Sequence, residues 1–439
     1  VKNLKKKYEF NYKSIGDLKE DINELKLELK TSKKIDIFKK EINIGANRVI
    51  NNRLAVHPME GTDANPDGTP GELTKRRYIR FSEGGSGLIW FEATAVNEHG
   101  RANKHQLFLK KENLSEFSQL VDLVREKAKD KYGDEFNPYL VLQLTHAGRF
   151  GENKTIMFHE DSLDKKSDVD PDLPVISDLE LESLEDDFLK AAQLAKKAGF
   201  DAVDIKSCHR YLLSEMLAAH TRDGKYGGSY ENRTRFIKNV VKKIKSNVDI
   251  DLSIRLNIFD SIPYPYGWGT DKNNKMDLEE PKKFVKELAE IGVKIFNITA
   301  STPYIKPHIS RPFNKSGKSD YQAPEHPLVG VDRLIKLGKI IKNELNDSLV
   351  VGTGFSWLRQ FAPNIAAATL DSGWADIIGF GREAFAYPDF AHDILYNNGF
   401  KKNNVCLTCG KCTDLKVAKK ITGCVVRDKD VYLKPYLNI

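Results

Sequence analysis

The sequence predicts a single (β/α)8 barrel, preceded by an N-terminal helical extension and followed by a short cysteine-bearing tail. Three observations predict this class. Eight short β-rich runs follow one another along the chain, a helix-like segment lies in each gap, and no G-x-G-x-x-G follows the first run, "RLAVHPMEGTD". Strand–helix alternation implies a parallel sheet, and eight such units imply a closed barrel. The competing architecture, an open doubly wound sheet, usually carries a glycine-rich turn at that point.

The length also suits one large barrel. The chain has 439 residues, of which 40% are hydrophobic, and α/β barrels routinely exceed the usual domain size as single units. We divide it into an extension at residues 1–44, a barrel at residues 45–400 and a tail at residues 401–439.

The extension is rich in lysine and glutamate and has a helical period. In "LKEDINELKLEL", Leu18, Ile22, Leu25 and Leu29 fall at i, i+4, i+7 and i+11, which is one apolar face of a helix. We expect this helix to pack on the barrel. The alternative is a helix that binds a partner.

The eight expected strands are short runs rich in β-branched and aromatic residues. They are "RLAVHPM", "GLIWFEATAV", "PYLVLQL", "DAVDIKS", "DLSIRLNI", "KIFNITA", "LVVGTG" and "ADIIGFG". The expected helices between them include "LSEFSQLVDLVREKAKD", "DDFLKAAQLAKKAGF", "TRFIKNVVKKI", "PKKFVKELAEIG", "DRLIKLGKIIKNEL" and "NIAAATLDSG". Ser183 and Asp186, spaced S-x-x-D, are the expected cap of the second helix.

Composition excludes several classes of function. The net charge of +7 is spread over 69 basic and 62 acidic residues, and no basic stripe is interleaved with aromatic residues, which argues against nucleic-acid binding. No apolar run approaches the roughly 18 residues of a membrane span. The start, "VKNLKKKYEF", lacks the apolar centre of a signal peptide. We therefore expect a cytoplasmic protein that binds neither nucleic acid nor membrane.

Barrel function resides on the loops at the carboxyl ends of the strands. The unusual residues of this chain fall there, and they are Pro58, Met59, Glu92, Ala93, Gln143, His146, Lys206 to Tyr211, Arg255, Gly352, Gly354, Gly381 and Arg382. Glycines at the ends of the seventh and eighth strands, beside Arg382, suit a phosphate site. The alternative is that the glycines only form tight turns and that Arg382 pairs with Glu383.

The tail holds four of the five cysteines. Cys406, Cys409, Cys412 and Cys424 follow the pattern C-x2-C-x2-C-x11-C. Three cysteines at successive x2 gaps plus one distant cysteine suit an iron–sulfur cluster. Structural zinc more often uses two separated C-x2-C pairs, and reduced thiols without metal are the third alternative.

The chain resembles the Old Yellow Enzyme family of FMN-dependent oxidoreductases over residues 48 to 395. The motifs that carry the resemblance are "NRLAVHPM", "EGGSGLIWFEATAV", "QLTHAGR", "DAVDIKSCHRYLLSEMLAAHTRDGKYGGSYENRTRF" and "DIIGFGREAFAYPDF". The fourth is long and specific, whereas the third departs by one residue from the usual Trp-containing form. The resemblance implies a flavoenzyme that takes electrons from NADH or NADPH.

The resemblance also implies roles for individual residues. Pro58, Met59, Ala93 and Gln143 match positions beside the flavin ring, and Arg255 matches the arginine near flavin N1. Gly354, Gly381 and Arg382 match the phosphate-binding group. The expected cofactor-binding residues are thus Pro58, Met59, Ala93, Gln143, Arg255, Gly354, Gly381 and Arg382.

The catalytic stretch "IKSCHRYLL" departs from the family pattern. The family has His-x-x-His or His-x-x-Asn followed by Tyr, and here the positions read Lys206, His209 and Tyr211. The resemblance implies that Lys206 and His209 hold a substrate carbonyl and that Tyr211 donates a proton. Alternatively, Lys206 pairs with Asp204 or another carboxylate and leaves the carbonyl to His209. We expect Cys208 to be a small buried residue without a role in catalysis.

The resemblance extends to the tail. Larger members of the family, similar to dienoyl-CoA reductase and trimethylamine dehydrogenase, bind [4Fe-4S] after the barrel. The expected metal ligands are therefore Cys406, Cys409, Cys412 and Cys424, with a separate electron-transfer protein as a further partner.

The expected function is the reduction of an α,β-unsaturated carbonyl compound through FMN, with a reduced nicotinamide or another donor as the source of hydride. The alternatives are an oxidative dehydrogenase or demethylase, and a flavin or iron–sulfur electron carrier. The loops "FDSIPYPYGWG" and "STPYIKPHISRPF", the second of which contains His308, are expected to line a pocket for a bulky, partly apolar substrate.

Overall fold

The computed structural model describes residues 9–45 and 48–439. Its centre is a closed barrel of eight parallel strands in the order β10-β3-β4-β5-β6-β7-β8-β9. The strands are β3 Leu54–Val56, β4 Leu88–Ala95, β5 Tyr139–Thr145, β6 Ala202–Ile205, β7 Asp251–Asn257, β8 Val293–Thr299, β9 Leu349–Gly352 and β10 Ile377–Phe380. Each expected β-rich run contains one strand, and the predicted (β/α)8 barrel is confirmed.

The last strand closes the barrel against the first. Gly379 of β10 lies opposite Ala55 of β3, and Ile377 of β10 lies opposite Val351 of β9. Alternate residues of the strands point inward, and the inward set packs with the short antiparallel pair β1 Ile42–Asn43 and β2 Val49–Ile50. This pair therefore plugs the amino-terminal end of the barrel and leaves the carboxyl end for a site.

Helices surround the barrel and cover its outward-facing apolar residues. The described helices are α1 Ile15–Glu24, α2 Glu72–Glu83, α3 Leu114–Tyr132, α4 Asp161–Ser167, α5 Asp178–Lys197, α6 Leu212–Leu217, α7 Tyr230–Asn247, α8 Glu279–Glu290, α9 Pro307–Ser310, α10 Pro327–Glu344, α11 Ala362–Asp371, α12 Arg382–Ala386, α13 Phe390–Tyr396, α14 Lys411–Val417 and α15 Lys429–Leu437. All six expected helical segments overlap one of them. None of the helices in the described ranges is long and apolar enough to span a lipid bilayer.

The cap of α5 differs from the expectation. The helix begins at Asp178, and Ser177 is its N-cap, with a reciprocal capping box to Glu180. Ser183 and Asp186 lie inside the helix, so the predicted cap was wrong. Both sites match the S-x-x-acid pattern, but only Ser177 precedes the first helical turn, where backbone N–H groups lack partners.

The extension contains a shorter helix than its pattern predicts. Helix α1 begins after the N-cap Ser14 and ends at Glu24, and it buries Leu18 and Ile22. Lys26 has a φ of 53°, so the chain leaves the helix before Leu29, which is nevertheless buried. Residues 1–8 of the expected extension lie outside the described residues.

The tail folds over the carboxyl end of the barrel. It contains α14 and α15, which enclose a small core of Leu415, Val425 and Tyr432. The Thr422 N–H donates to the Gly61 carbonyl at 2.7 Å, and Asp428 pairs with Arg76 and Arg80 of α2 at 2.7 Å each. These contacts place α14 above the barrel opening.

Candidate active site

A cavity of about 200 Å³ lies at the carboxyl end of the barrel, and we call it the barrel cavity. Its walls come from the ends of several strands and from the tail. The expected site residues that line it are Pro58, Met59, Gln143, Lys206, His209, Arg255, Gly354, Gly381, Arg382 and Cys412. The structure thus brings together residues that are more than 350 positions apart in the chain.

One end of the barrel cavity has the character of an anion site. Gly354 has a φ of 98°, and a Cβ there would lie 2.8 Å from the Leu334 side chain, so only glycine suits this position. A Cβ at Gly381 would likewise lie 2.8 Å from the Met59 sulfur. Both positions therefore require glycine to pack against the protein itself, and both line the barrel cavity.

Two arginines converge at this end. Arg382 donates to the Pro312 carbonyl at 2.7 Å, and it forms no ion pair with Glu383 in the part of the chain that the structure describes. Arg311 lies beside it, and burial together with the charge of Arg382 lowers the pKa of Arg311 to about 10. One Nη1 donor of each is buried and has no acceptor among the described residues. Two like-charged guanidinium groups, neither of which has a carboxylate partner among the described residues, fit a phosphate dianion between them.

The residues expected beside a flavin ring lie along the same cavity. Arg255 is half-buried and its Nε has no described acceptor. Gln143 donates from Nε2 to Asp204 Oδ2 at 2.6 Å. His57 also lines the cavity, and burial holds the pKa of His57 well below its usual range, so the imidazole is neutral. The Arg255 Nε and the His57 Nε2 are buried and have no acceptor among the described residues. Unpaired donors of this kind fit the acceptor edge of an isoalloxazine ring, and the residues present therefore fit FMN.

Ala93 is not part of the cavity wall. It is fully buried, and its carbonyl accepts a hydrogen bond from Gln106 Nε2 at 3.0 Å. The neighbouring Glu92 is also buried and pairs with Arg77, which in turn pairs with Asp63. This part of β4 therefore stabilises the barrel wall.

Two of the three expected catalytic residues, Lys206 and Tyr211, contact Glu60, which the sequence did not single out. Lys206 Nζ lies 3.1 Å from Glu60 Oε1, and Tyr211 donates from its hydroxyl to the same oxygen at 3.2 Å. Lys416 Nζ, from the tail, lies 2.8 Å from Glu60 Oε2. Lys206 also lies 3.7 Å from the centroid of the Tyr211 ring. The sequence left open whether Lys206 pairs with a carboxylate, and in the structure it does, although not with Asp204.

The electrostatics of this group follow from burial and from its two ammonium groups. Burial opposes ionisation of Glu60, but Lys416 and Lys206 outweigh it and hold the pKa of Glu60 well below its usual range. Burial lowers the pKa of Lys206, although Glu60 opposes this shift. Burial and the Glu60 carboxylate raise the pKa of Tyr211 well above its usual range. One carboxylate thus faces two ammonium groups, and the cluster has a surplus positive charge.

Tyr211 and His209 occupy different positions relative to the barrel cavity. Tyr211 is 2% exposed and stands behind Glu60, whereas His209 lines the cavity. Burial and the charges of Arg255 and Lys206 hold the pKa of His209 well below its usual range. At neutral pH the His209 imidazole is therefore uncharged and can donate from one ring nitrogen.

The backbone at His209 is strained. His209 and Arg210 have φ angles of 61° and 59°, in the left-handed region of backbone conformation that residues other than glycine rarely adopt. Arg210 is fully buried and holds this turn through an ion pair to Asp260 at 3.0 Å and a hydrogen bond to the Tyr266 carbonyl at 2.9 Å. Strain of this kind clusters at functional sites. The intervening Cys208 is fully buried, and burial raises the pKa of its thiol to about 11, as expected for an inert residue.

A second, smaller cavity of about 20 Å³ lies beside the first, and we call it the cysteine cavity. Cys406, Cys409, Cys412 and Cys424 all line it, and none of them forms a disulfide. Thr408 donates its N–H to Cys406 Sγ at 3.3 Å, and Arg427 donates its N–H to Cys424 Sγ at 3.4 Å. The four predicted ligands therefore face one small volume.

The spacing of these thiols bears on the kind of metal. Across residues 9–45 and 48–439, no group of three or more His, Cys, Asp or Glu side chains is arranged to hold a metal ion. A tetrahedral zinc requires sulfurs at about 2.3 Å from one centre. Arg382 and Arg427 line the cysteine cavity, so its surroundings are positively charged. Burial raises the pKa of Cys424 to about 11, so without a metal this thiol stays protonated.

Of the two loops expected to line the substrate pocket, only the second lines the barrel cavity. Pro303, Tyr304, Ser310 and Arg311 of the second loop line the barrel cavity. The first loop, residues 259–269, contributes no lining residue, and His308 is buried and bonds to the Tyr321 hydroxyl. The prediction for the first loop and for His308 was therefore wrong, because both pack against neighbouring loops rather than facing the opening.

Sequence reasoning did not single out the cavity residues His57, Glu60 and Lys416, and it placed Arg311 in a lining loop without assigning it a role. A signal existed for His57 and Glu60, since they flank Pro58 and Met59 at the end of the first barrel strand. No local signal marks Lys416, because only the docking of the tail brings it to the barrel.

The fold and this site together define a flavin-dependent oxidoreductase of the barrel class. The sequence model of the NADH:flavin oxidoreductase / NADH oxidase family matches residues 36–399, and the chain belongs to this family of FMN-dependent NAD(P)H oxidoreductases.

Relatives with established names agree with this assignment. The chain is 28% identical over 355 residues to an NADPH dehydrogenase of Clostridium acetobutylicum, an alignment that covers 78% of this chain and 90% of the relative. It is 30% identical over 256 residues to an NADPH dehydrogenase of Bacillus subtilis, covering 57% of this chain and 70% of the relative. The predicted ene-reductase type of chemistry is confirmed at the level of the family.

Solved structures share the fold. A 2-naphthoyl-CoA reductase complex superposes with a TM-score of 0.72 and 18% identity, covering 92% of this chain and 58% of the other. Histamine dehydrogenase from Rhizobium sp. 4-9 superposes with a TM-score of 0.67 and 21% identity, covering 90% of this chain and 52% of the other. Old Yellow Enzyme from Pichia sp. AKU4542 superposes with a TM-score of 0.61 and 18% identity, covering 83% of this chain and 87% of the other. The chain thus spans about half the length of the first two structures, and most of the length of the third.

Proposed function

We propose that the barrel cavity reduces the carbon–carbon double bond of an α,β-unsaturated carbonyl compound, with NADH or NADPH as electron donor. The observation that supports this proposal is the cluster at Glu60. It combines two ammonium groups, a buried phenol and one carboxylate at the edge of the cavity. A surplus of positive charge stabilises an oxygen that becomes negative during the reaction.

The proposed cofactor is FMN. Its phosphate would lie at Gly354, Gly381 and Arg382, and Arg311 would add a second guanidinium. The ring would contact Pro58, Met59, Gln143 and Arg255, with Ala93 behind this wall. When bound, FMN accepts hydride from NAD(P)H and supplies it to the β-carbon of the substrate.

Lys206 and His209 are proposed to hold the substrate carbonyl. Both line the cavity, and both carry N–H donors. A hydrogen bond from an ammonium group is charge-assisted and therefore stronger than one from a neutral imidazole. We therefore assign to Lys206 the larger share in stabilising the enolate oxygen, and to His209 the orientation of the carbonyl.

Tyr211 is proposed to supply the proton for the α-carbon. Its hydroxyl donates to Glu60 at 3.2 Å, so the carboxylate is the contact between the phenol and the cavity. The ammonium group of Lys206 over the Tyr211 ring favours the phenolate that remains after proton loss. Because Tyr211 is only 2% exposed, the proton would be restored from the barrel cavity through Glu60, which lines it.

The same cluster argues against amine oxidation. A carboxylate is a natural partner for a cationic amine, but Glu60 already has two ammonium partners within 3.1 Å. A cationic amine substrate would be a third cation beside one carboxylate, so the net positive charge of the cluster would repel it. An electron carrier without a substrate would need neither the cluster nor the strained turn at His209.

We further propose that the four cysteines hold a [4Fe-4S] cluster. In such a cluster each cysteine binds a different iron, so the thiolates stand farther apart than around a single ion. The shared cavity, the N–H donors to sulfur and the surrounding arginines support this assignment. The cluster would exchange electrons with a separate protein or stabilise the tail alone.

Two further proposals concern the substrate and the compartment. Met59, Pro303, Tyr304 and Phe385 give the cavity wall apolar surface, which suits a bulky, partly apolar substrate. The five cysteines form no disulfide, which agrees with a reducing compartment such as the cytoplasm.

The two half-reactions test this function separately. Anaerobic rapid mixing of the oxidised holoenzyme with NADPH or NADH should bleach the flavin band, and mixing the reduced enzyme with 2-cyclohexenone should restore it. The oxidised enzyme should not react with histamine or trimethylamine. Bleaching by an amine, together with no reoxidation by the enone, would overturn the proposal in favour of an amine dehydrogenase.

A further inference from the structure

The tail contributes a charged side chain to the active site. Lys416 belongs to α14, and its Nζ lies 2.8 Å from Glu60 Oε2. The other carboxylate oxygen of Glu60 accepts from Lys206 and Tyr211. The Glu60 side chain is only 9% exposed, so Lys416 reaches a nearly buried carboxylate from above.

We propose that Lys416 is a positioning residue of the active site, and that its ion pair with Glu60 holds the carboxylate that orients Lys206 and Tyr211. The cysteine-bearing tail is then part of the catalytic structure as well as a site for electrons. The catalytic meaning of this inference rests on the proposed function, whereas the ion pair itself does not.

The charge balance shows why the second ammonium is needed. Burial alone would favour the protonated acid at Glu60, and Lys416 and Lys206 both act against it. A protonated Glu60 would carry a hydrogen on one oxygen and would no longer accept equally from all three partners. The charged and titratable groups around the Glu60–Lys416 pair are Lys206, Tyr211, His209, Cys208, Tyr304 and Glu92.

The position of Lys416 depends on how the tail docks. Asp414, two residues earlier, accepts from the Lys318 N–H at 3.0 Å, and the Thr422 N–H donates to the Gly61 carbonyl, directly after Glu60. Cys412 lies one turn before Lys416 on α14. The segment is therefore fixed on both sides of Lys416, which suits a side chain that must hold one geometry.

The test compares Lys416→Met with Lys416→Arg and with Lys420→Met. Arginine keeps the charge, and Lys420 is an exposed lysine of the same tail. The first measurement is the infrared carbonyl band of a protonated carboxyl group as a function of pH, assigned to Glu60 by its loss in Glu60→Gln. In Lys416→Met this band should appear about 1–3 pH units higher than in the unaltered holoenzyme, because one of two opposite charges is lost. Lys416→Arg and Lys420→Met should match the unaltered enzyme.

The second measurement is the pH profile of reoxidation of the reduced flavin by 2-cyclohexenone. In Lys416→Met its acidic limb should move upward by the same shift, while reduction by NADPH should keep its profile. An unmoved infrared band in Lys416→Met overturns the inference, as does an equal effect of Lys420→Met. A moved band in an enzyme that does not reduce enones supports the ion-pair role and overturns the proposed function instead.

Discussion

Arg382 and Cys412 each line both cavities at the carboxyl end of the barrel. The wall between the proposed flavin site and the four cysteines is therefore only about one side chain thick at this point. Arg382 lies at the end of the barrel cavity that is proposed to hold the phosphate, and Cys412 is one of the predicted cluster ligands. A flavin and a metal cluster bound in these cavities would be neighbours, which suits transfer of electrons between them.

Arg382→Ala should weaken the binding of FMN. The change removes a charged contact to phosphate worth about 1.5–3 kcal/mol, so the Kd should rise roughly 10- to 150-fold. The measurement is fluorescence titration of the flavin-free protein with FMN. Arg235→Ala, at an exposed arginine of α7, should leave the Kd unchanged. Release of FAD by heat from the purified protein would contradict the assignment.

Tyr211→Phe should slow alkene reduction and spare flavin reduction. Only the second half-reaction needs a proton, and loss of a positioned general acid typically lowers the rate about 10²- to 10⁴-fold. Rapid mixing gives both rates. Tyr264→Phe, at a partly exposed tyrosine outside the cavity, is the matched control. Equal slowing of both half-reactions would make Tyr211 a structural residue, and an effect confined to Lys206→Met would identify Lys206 as the proton donor.

Glu60→Gln should destabilise the protein. The change leaves the nearly buried Lys206 without its partner, and breaking a buried ion pair lowers the free energy of unfolding by about 3–5 kcal/mol. Adding Lys206→Met should recover part of this loss, because the unpaired charge is then gone. Urea unfolding of the two single variants and the double variant measures the coupling. Strict additivity of the two losses would show that Glu60 and Lys206 do not interact.

Asp204 should make the stability of the protein fall as pH rises. Burial raises the pKa of Asp204 to about 6, although a hydrogen bond from Gln143 opposes the shift. The folded pKa lies above the unfolded value of about 3.9, so the unfolded chain ionises first and stability is lost between about pH 4 and pH 6. Relative to the unaltered protein, Asp204→Asn should gain on the order of 2–3 kcal/mol across this range in urea unfolding. Parallel pH curves for the two proteins would contradict the raised pKa.

Cys409→Ser should abolish the proposed [4Fe-4S] cluster. Protein purified without oxygen should contain about four irons and about four acid-labile sulfides per chain, with a broad absorption shoulder near about 400 nm. Cys208→Ala is the control, since this cysteine lies outside the cysteine cavity and should keep its iron. One zinc per chain without acid-labile sulfide would instead show that the tail holds a structural zinc site.

The barrel was predictable because its signals are local. Each strand is a short apolar, β-rich run, and a helix-like segment lies between each pair of runs, so these local patterns identified all eight strands. Local patterns failed where two matches competed or where the backbone turned. Ser177 and Ser183 both fit a cap, and the apolar period of the extension continues past Lys26, where the positive φ ends the helical path. The boundaries at residues 44 and 400 stay a prediction.

The site was predictable only in part. Pro58, Arg255 and Arg382 follow from their places at strand ends together with the family resemblance. The triple contact of Glu60 with Lys206 and Lys416 does not follow, because it joins three segments that are 146 and more residues apart. Sequence patterns report which residues follow one another, whereas this contact depends on how the tail rests on the finished barrel.

The docked tail implies an order of assembly. The barrel is synthesised before the tail, so its opening faces solvent while residues 401–439 are still on the ribosome. Once Thr422 has bonded to Gly61 and Asp428 has paired with Arg76, the tail covers part of that opening. We expect the flavin to enter before the tail docks, so docking would seal the cofactor in place. A newly made chain that closed without flavin would have to undock its tail before it could be loaded.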